Sequence, residues 1–130
     1  MITIFDRTEK FPGKVNFIDD RNNLIGFDME SSCCEDFGWL IEGTDLSNKK
    51  DGGVFKLENY SFNKYSFKIN RCNDDEGGEI IITLRGKKRK SFIESVKLPN
   101  LYLHIFNNHN GYYSHGFELS IDDEKIVCSI

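Results

Sequence analysis

Leu101-Tyr102-Leu103-His104-Ile105-Phe106-Asn107-Asn108-His109-Asn110-Gly111-Tyr112-Tyr113-Ser114-His115-Gly116-Phe117-Glu118-Leu119 places an Asn-Gly pair between two apolar, alternating runs. Both residues of that pair tolerate positive φ, so the stretch predicts a β-hairpin. Register follows from matching side chains across the turn. A two-residue Asn110-Gly111 loop sets Leu103 opposite Glu118 and wastes the apolar face. A three-residue His109-Asn110-Gly111 loop sets Leu103 opposite Phe117 and Leu101 opposite Leu119, and is the better choice because a one-residue slip flips every side chain. In that register Ile105 faces His115, His104 sits beside Gly116 on the other face, and Tyr113 joins the core face. Tyr112 and His109 then project near the tip. The three histidines diverge, which argues against a three-histidine metal site.

Working outward, the rest of the chain also alternates short strands with turns. Ile2 to Phe5 reads as a first strand, and Pro12-Gly13 turns the chain. Lys14 to Ile18 and Leu24 to Met29 read as a hairpin across Asp19 to Asn23. Ser32 followed three residues later by Glu35 is a capping box, with Gly38 as a natural stop, so one short helical turn is expected around 32–37. Trp39-Leu40-Ile41 resumes as a strand, with Trp39 in the core. Val54 to Tyr60 and Tyr65 to Asn70 alternate, the latter with Tyr65, Phe67 and Ile69 on one face. Glu79 to Arg85, carrying Ile80, Ile81 and Ile82, reads as a central strand. Phe92 to Leu98 reads as the strand after the basic run, Pro99-Asn100 turns the chain, and Asp122 to Glu124 makes the last turn. Strands at this spacing predict an all-β fold: a single-domain antiparallel β-sandwich or partly open barrel over residues 1–130.

Composition bounds the function. A chain of 130 residues is one domain's length and buries about two-thirds of the surface its unfolded form exposes. The net charge of −4 and pI near 5.4 give no general attraction for nucleic acid or anionic membranes. No apolar run is long enough to span a membrane, and Met1 to Asp6 lacks the regions of a signal peptide, so a cytoplasmic protein without a membrane partner is expected. Of the four cysteines, Cys33 and Cys34 are adjacent while Cys72 and Cys128 stand alone. That is no disulfide framework, and reduced thiols are expected.

Few side chains suggest chemistry. Cys33 and Cys34 in a helical turn point about 100° apart and do not readily share a metal ion. One of them with His115 as base would make a nucleophile, whereas burial as small core residues is the competing reading. Arg85, Lys87, Lys88, Arg89 and Lys90 form the one concentrated basic run. It can hold phosphates, but it falls where two strands are expected to join and lacks interleaved aromatics, so nucleic acid is the minor alternative. His109, Asn110 and Tyr112 form a candidate recognition tip, since tyrosine combines contact area with a polar handle. The acidic pairs all fall in turns, where Asp serves the backbone, and no calcium-loop spacing occurs. Neither a cofactor nor a metal is expected.

The combination of Val15-Asn16-Phe17-Ile18-Asp19, Gly26-Phe27-Asp28, Cys33-Cys34-Glu35 with Phe37-Gly38-Trp39, and the HNGYYSHGFEL stretch at 109 to 119 resembles a family of small uncharacterised bacterial and phage proteins. The resemblance covers most of the chain and carries no catalytic residues with it. In size and charge the chain is also similar to toxin-immunity proteins and phage inhibitors of bacterial defence. The expectation is therefore a non-enzymatic binding protein that inhibits another protein. An enzyme using Cys33 or Cys34 with His115 and a nucleic-acid module using residues 85–90 are the alternatives.

Overall fold

The computed structural model describes residues 1–29, 36–48, 52–71, 77–108, 116–121 and 124–129, with the backbone alone at 36, 64–71, 77, 108, 116, 117, 126, 128 and 129. Among these the chain is all-β. The strands are β1 (Ile2–Asp6), β2 (Lys14–Asp19), β3 (Leu24–Asp28), β4 (Asp36–Glu42), β5 (Gly53–Leu57), β6 (Tyr60–Arg71), β7 (Gly77–Arg89), β8 (Ser95–Asn108), β9 (Gly116–Ile121) and β10 (Glu124–Ser129). They form two antiparallel sheets, a six-stranded one in the order β10-β9-β3-β2-β1-β5 and a four-stranded one in the order β4-β8-β7-β6. The sheets do not close on each other by strand pairing, so the fold is a β-sandwich and not a closed barrel.

Alternation explains the core. From the six-stranded sheet Ile2, Ile4, Val15, Phe17, Ile25, Phe27 and Leu119 point inward. From the other come Phe37, Trp39, Ile41, Phe62, Ile80, Ile82, Leu84, Leu103 and Ile105. Aromatic rings join the layers: Phe17 meets Trp39 edge-on with centroids 5.2 Å apart, and Phe27 meets Phe37 in the same way at 5.3 Å. Such pairs add to what their buried area already contributes.

The hairpin of β2 and β3 forms as its sequence suggests, with Ile18 opposite Leu24 and Lys14 opposite Asp28. Its turn is organised by Asp19, which is 4% exposed. The carboxylate accepts hydrogen bonds from the backbone N–H groups of Arg21 (2.9 Å) and Asn23 (3.0 Å), and from the Asn23 side-chain amide (3.0 Å). It also accepts one from the backbone N–H of Phe62 in β6, at 3.3 Å. One turn residue therefore ties the two sheets together. The expected central strand is also present, since β7 pairs with both β6 and β8.

Among the described residues, β8 and β9 do not pair as the hairpin expected around Asn110-Gly111 requires. Leu103 of β8 lies between Ile41 of β4 and Ile82 of β7, while Phe117 of β9 lies between Phe27 of β3 and Cys128 of β10. β8 and β9 belong to different sheets, and each turns its apolar residues into the shared core instead of the two lying side by side. Period-two alternation says which face is buried and not which strand is the neighbour. His109, Asn110, Tyr112, Tyr113 and His115 lie outside the described residues.

Other expectations change locally. Residues 30–35 are outside the described set, but Asp36 and Phe37 are strand, which removes the end of the expected helical turn. Gly38 is not a helix stop: a Cβ there would come within 2.5 Å of Asn48 Oδ1, which accepts the Trp39 N–H at 3.1 Å. Val54 to Tyr60 is split at Asn59, whose φ of 67° ends β5 and sends the chain into the other sheet. Pro99-Asn100 makes no turn, because β8 runs through it from Ser95 to Asn108. Pairing with β7 is irregular between Leu84 and Gly86 there, the kind of bulge that accepts a residue with no N–H to donate.

Candidate functional site

The basic run, expected at a strand junction, lies mostly within a strand. Arg85 to Arg89 belong to β7, and the loop spans Lys90 to Glu94. Tyr60 opens β6 opposite Gly86, so beyond Lys87 the ribbon consists of β7 and β8 alone. It projects as a two-stranded arm. Residues 85–97 carry six of the seventeen Lys and Arg and one of the twenty-one carboxylates, which leaves a net −9 on the remainder of the chain.

The loop at its end is held in one shape. Lys90 and Ser91 donate backbone hydrogen bonds to the Glu94 carbonyl at 2.9 and 3.1 Å, and Glu94 N–H donates to Ser91 Oγ at 3.2 Å. The Arg89 guanidinium reaches over the loop, donating to the carbonyls of Ser91 (3.3 Å) and Phe92 (3.0 Å), and sits 5.3 Å from the Phe92 ring centre. What this frame presents to solvent is apolar: Phe92 is 92% and Ile93 98% exposed. Elsewhere large apolar side chains of the described residues are mostly inside. Sequence reasoning placed Phe92 and Ile93 in a strand and so missed them. The signal that was available is the break of alternation at Ser91-Phe92-Ile93-Glu94.

A second cluster lies on the outer face of the four-stranded sheet. His104 of β8 stands between Leu40 of β4 and Ile81 of β7. Its Nδ1 is 2.5 Å from Glu79 Oε1 and its Nε2 is 2.8 Å from Glu42 Oε2. Burial lowers the pKa of the ring, but hydrogen bonds and charge from Glu79 and Glu42 outweigh it, and the net shift is upward from 6.5. A protonated ring donates to both carboxylates and clamps three strands together. With both nitrogens engaged it is a tie and not a general base. The sequence reading put His104 on the reverse of the core face, which is where it lies. Its carboxylate partners come from strands 25 and 62 residues away and carry no local signal.

Comparison with protein-family models, with curated proteins and with solved structures finds no match.

Of the other candidates, Cys33, Cys34, His109, Asn110, Tyr112 and His115 are outside the described residues. Among the described residues no group of three or more His, Cys, Asp and Glu side chains is placed to hold a metal ion, and no helix is long and apolar enough to cross a membrane. Arg85 lies where β6 still flanks β7, while Lys87, Lys88, Arg89 and Lys90 follow one another along the arm, with Arg89 committed to its loop.

Proposed function

We propose that this is a small non-enzymatic cytoplasmic protein that inhibits a partner protein, in the manner of toxin-immunity or phage anti-defence proteins, by inserting the Lys90–Glu94 loop into a cleft. The observation that carries the reading is the near-complete exposure of Phe92 and Ile93 on a loop already shaped by Arg89. An aromatic and a branched aliphatic side chain make a hot-spot anchor, and a loop held in its bound shape loses little entropy on docking. The cationic flanks of the arm suit an acidic rim around that cleft and speed encounter with it. Nucleic acid is the second reading, supported by the exposed Lys87, Lys88 and Lys90 on the same ribbon.

A photoreactive amino acid at position 92, with one at exposed Lys56 as control, separates the two in cells. The expected outcome is crosslinking at 92 to one protein, whose affinity for the purified chain falls at least tenfold in the Phe92→Ser/Ile93→Ser variant. The thermal midpoint of that variant should match the wild type, because neither side chain is buried. Crosslinking at 92 to nucleic acid alone, or a partner bound equally well by the variant, defeats the reading.

A further inference from the structure

At the base of the arm, where β6 begins at Tyr60 and β7 runs on past it, a groove of about 750 Å³ opens beside the β2–β3 and β5–β6 turns. Its volume lies in the range of small-molecule sites. Arg85, Lys87, Lys97, Ser61 and Ser95 line it from the strands, and Arg21 lines it from the β2–β3 turn.

Register puts the strand cations on one face. Along β7, Leu84 and Gly86 are buried while Arg85 and Lys87 are exposed, and their direct partners are Ser61 on β6 and Lys97 on β8. Lys87 donates its N–H away from β8, to the Asn59 carbonyl at 2.9 Å. Lys87 and Lys97 are therefore a non-hydrogen-bonded pair of the antiparallel ladder, the kind whose side chains stand closest, and like charges there repel. Among the described residues none of Arg21, Arg85, Lys87 and Lys97 forms an ion pair, in a chain whose carboxylates outnumber its Lys and Arg by twenty-one to seventeen. Two carboxylates share the groove. Asp20 is engaged by the Met1 amino group at 2.7 Å, and that pair cancels. Of the remaining lining residues four are cations and one, Glu58, is an anion, which leaves the groove at net +3.

Tyr60 is the single aromatic residue in the lining, and its ring belongs to the other face. It pairs with Gly86, lies over it, and donates its hydroxyl to the Pro99 carbonyl at 2.8 Å. The cations therefore have no ring beside them on which a base could stack.

We propose that this groove binds a base-free ligand with clustered phosphates, an inorganic polyphosphate or a polyphosphorylated polyol. One phosphate bridges the Lys87 and Lys97 ammonium groups, and its neighbour takes the Arg85 fork. Ser61 and Ser95 donate hydroxyl hydrogen bonds to the remaining oxygens, and Arg21 faces them from the turn. A phosphate suits the lysine pair because its several terminal oxygens accept from both ammonium groups at once and its charge relieves their repulsion. A net cationic groove of small-molecule size, without an aromatic on its charged face, favours dense charge over a nucleic-acid strand that stacks its bases. The site lies apart from the apolar loop and goes beyond the inhibitor reading.

Calorimetry on the full chain, at low and at physiological salt, tests the proposal with tripolyphosphate, inositol hexakisphosphate, orthophosphate and a ten-residue oligothymidylate as probes. Tripolyphosphate or the inositol phosphate should bind one to one, and the tighter of the two shows whether a chain or a polyol carries the phosphates. Orthophosphate, which engages one subsite only, should bind about tenfold more weakly or worse. Lys97→Glu should abolish this binding while raising the thermal midpoint of the ligand-free protein, since it converts the Lys87–Lys97 repulsion into an attraction. Lys88→Glu makes the same charge change on the opposite face, where Lys88 pairs with Val96, and should leave binding at physiological salt within about threefold of wild type. Phe92→Ser/Ile93→Ser should not alter it, which keeps failure here distinct from failure of the inhibitor reading. The proposal is overturned if neither polyphosphate binds, if binding survives Lys97→Glu, or if Lys88→Glu is as damaging as Lys97→Glu. It is equally overturned if the oligonucleotide binds more tightly than both.

Discussion

The sandwich body and the β7–β8 arm are continuous stretches of the same strands, yet they treat their side chains in opposite ways. In the body, Ile80, Ile82 and Leu84 of β7 are buried against both sheets, and the buried carboxylate of Asp19 has every described contact satisfied by a donor. In the arm, the continuation of β7 from Lys87 carries exposed cations, and the loop holds two large apolar groups in water. Exposure of Phe92 and Ile93 contributes nothing to folding, and juxtaposing Lys87 with Lys97 opposes it. The difference teaches that stability and recognition are separated along one hairpin, so substitutions should divide cleanly between the two.

The largest effect belongs to the centre of the body. Phe17 is fully buried, edge-on to Trp39 and stacked on Phe27 at 6.0 Å, so Phe17→Ala removes contacts in both sheets. Urea unfolding should show a loss of about 3–5 kcal/mol, enough to unfold a marginal domain. A loss below about 1 kcal/mol would mean that the two sheets do not share this core.

Asp19→Ala comes next. It strips acceptors from buried N–H donors of Asn23 and Phe62 and unlinks the β2–β3 turn from β6. A cost on the order of 3 kcal/mol follows from hydrogen bonds to a charged group and the donors left unsatisfied. Hydrogen exchange at the Phe62 amide should accelerate more than at Ile4 if the tie between sheets is what breaks.

The smallest of the three is the His104 clamp, and it carries a pH signature. The folded pKa lies above the unfolded value of 6.5, so the clamp's contribution is complete below about pH 6.5 and is lost as pH rises through the folded value. Partial solvent exposure of the carboxylates limits it to about 1 kcal/mol. Unfolding free energies of wild type and His104→Gln should therefore differ at pH 6 and converge at alkaline pH. A difference that is flat with pH would remove the charge from the explanation and leave packing alone. The loop variant Phe92→Ser/Ile93→Ser, neutral in stability, lies at the far end of the same scale.

How much of this was legible follows from the kind of information each feature needs. Asp19 was readable as a turn residue because an Asx side chain caps its own turn within a few residues. Its bond to Phe62, 43 residues on, was not. The loop at Lys90–Glu94 was obscured because Phe and Ile score as strand residues wherever they occur, and exposure is a property of what surrounds them. The groove of about 750 Å³ at the base of the arm draws on residues from Met1 to Lys97, and only the part within the basic run stood out in the chain.

By itself the sequence determined the all-β class, the β2–β3 hairpin, the buried Trp39 and the central place of Ile80 and Ile82, because alternation and turn chemistry act over a few residues. Only the tertiary structure decided that β8 and β9 enter different sheets instead of pairing, and that Lys87 confronts Lys97. It alone brought His104 between two glutamates. Those outcomes depend on which strands become neighbours, and strands of equal alternation compete for one another with nearly equal local energies until the whole core closes.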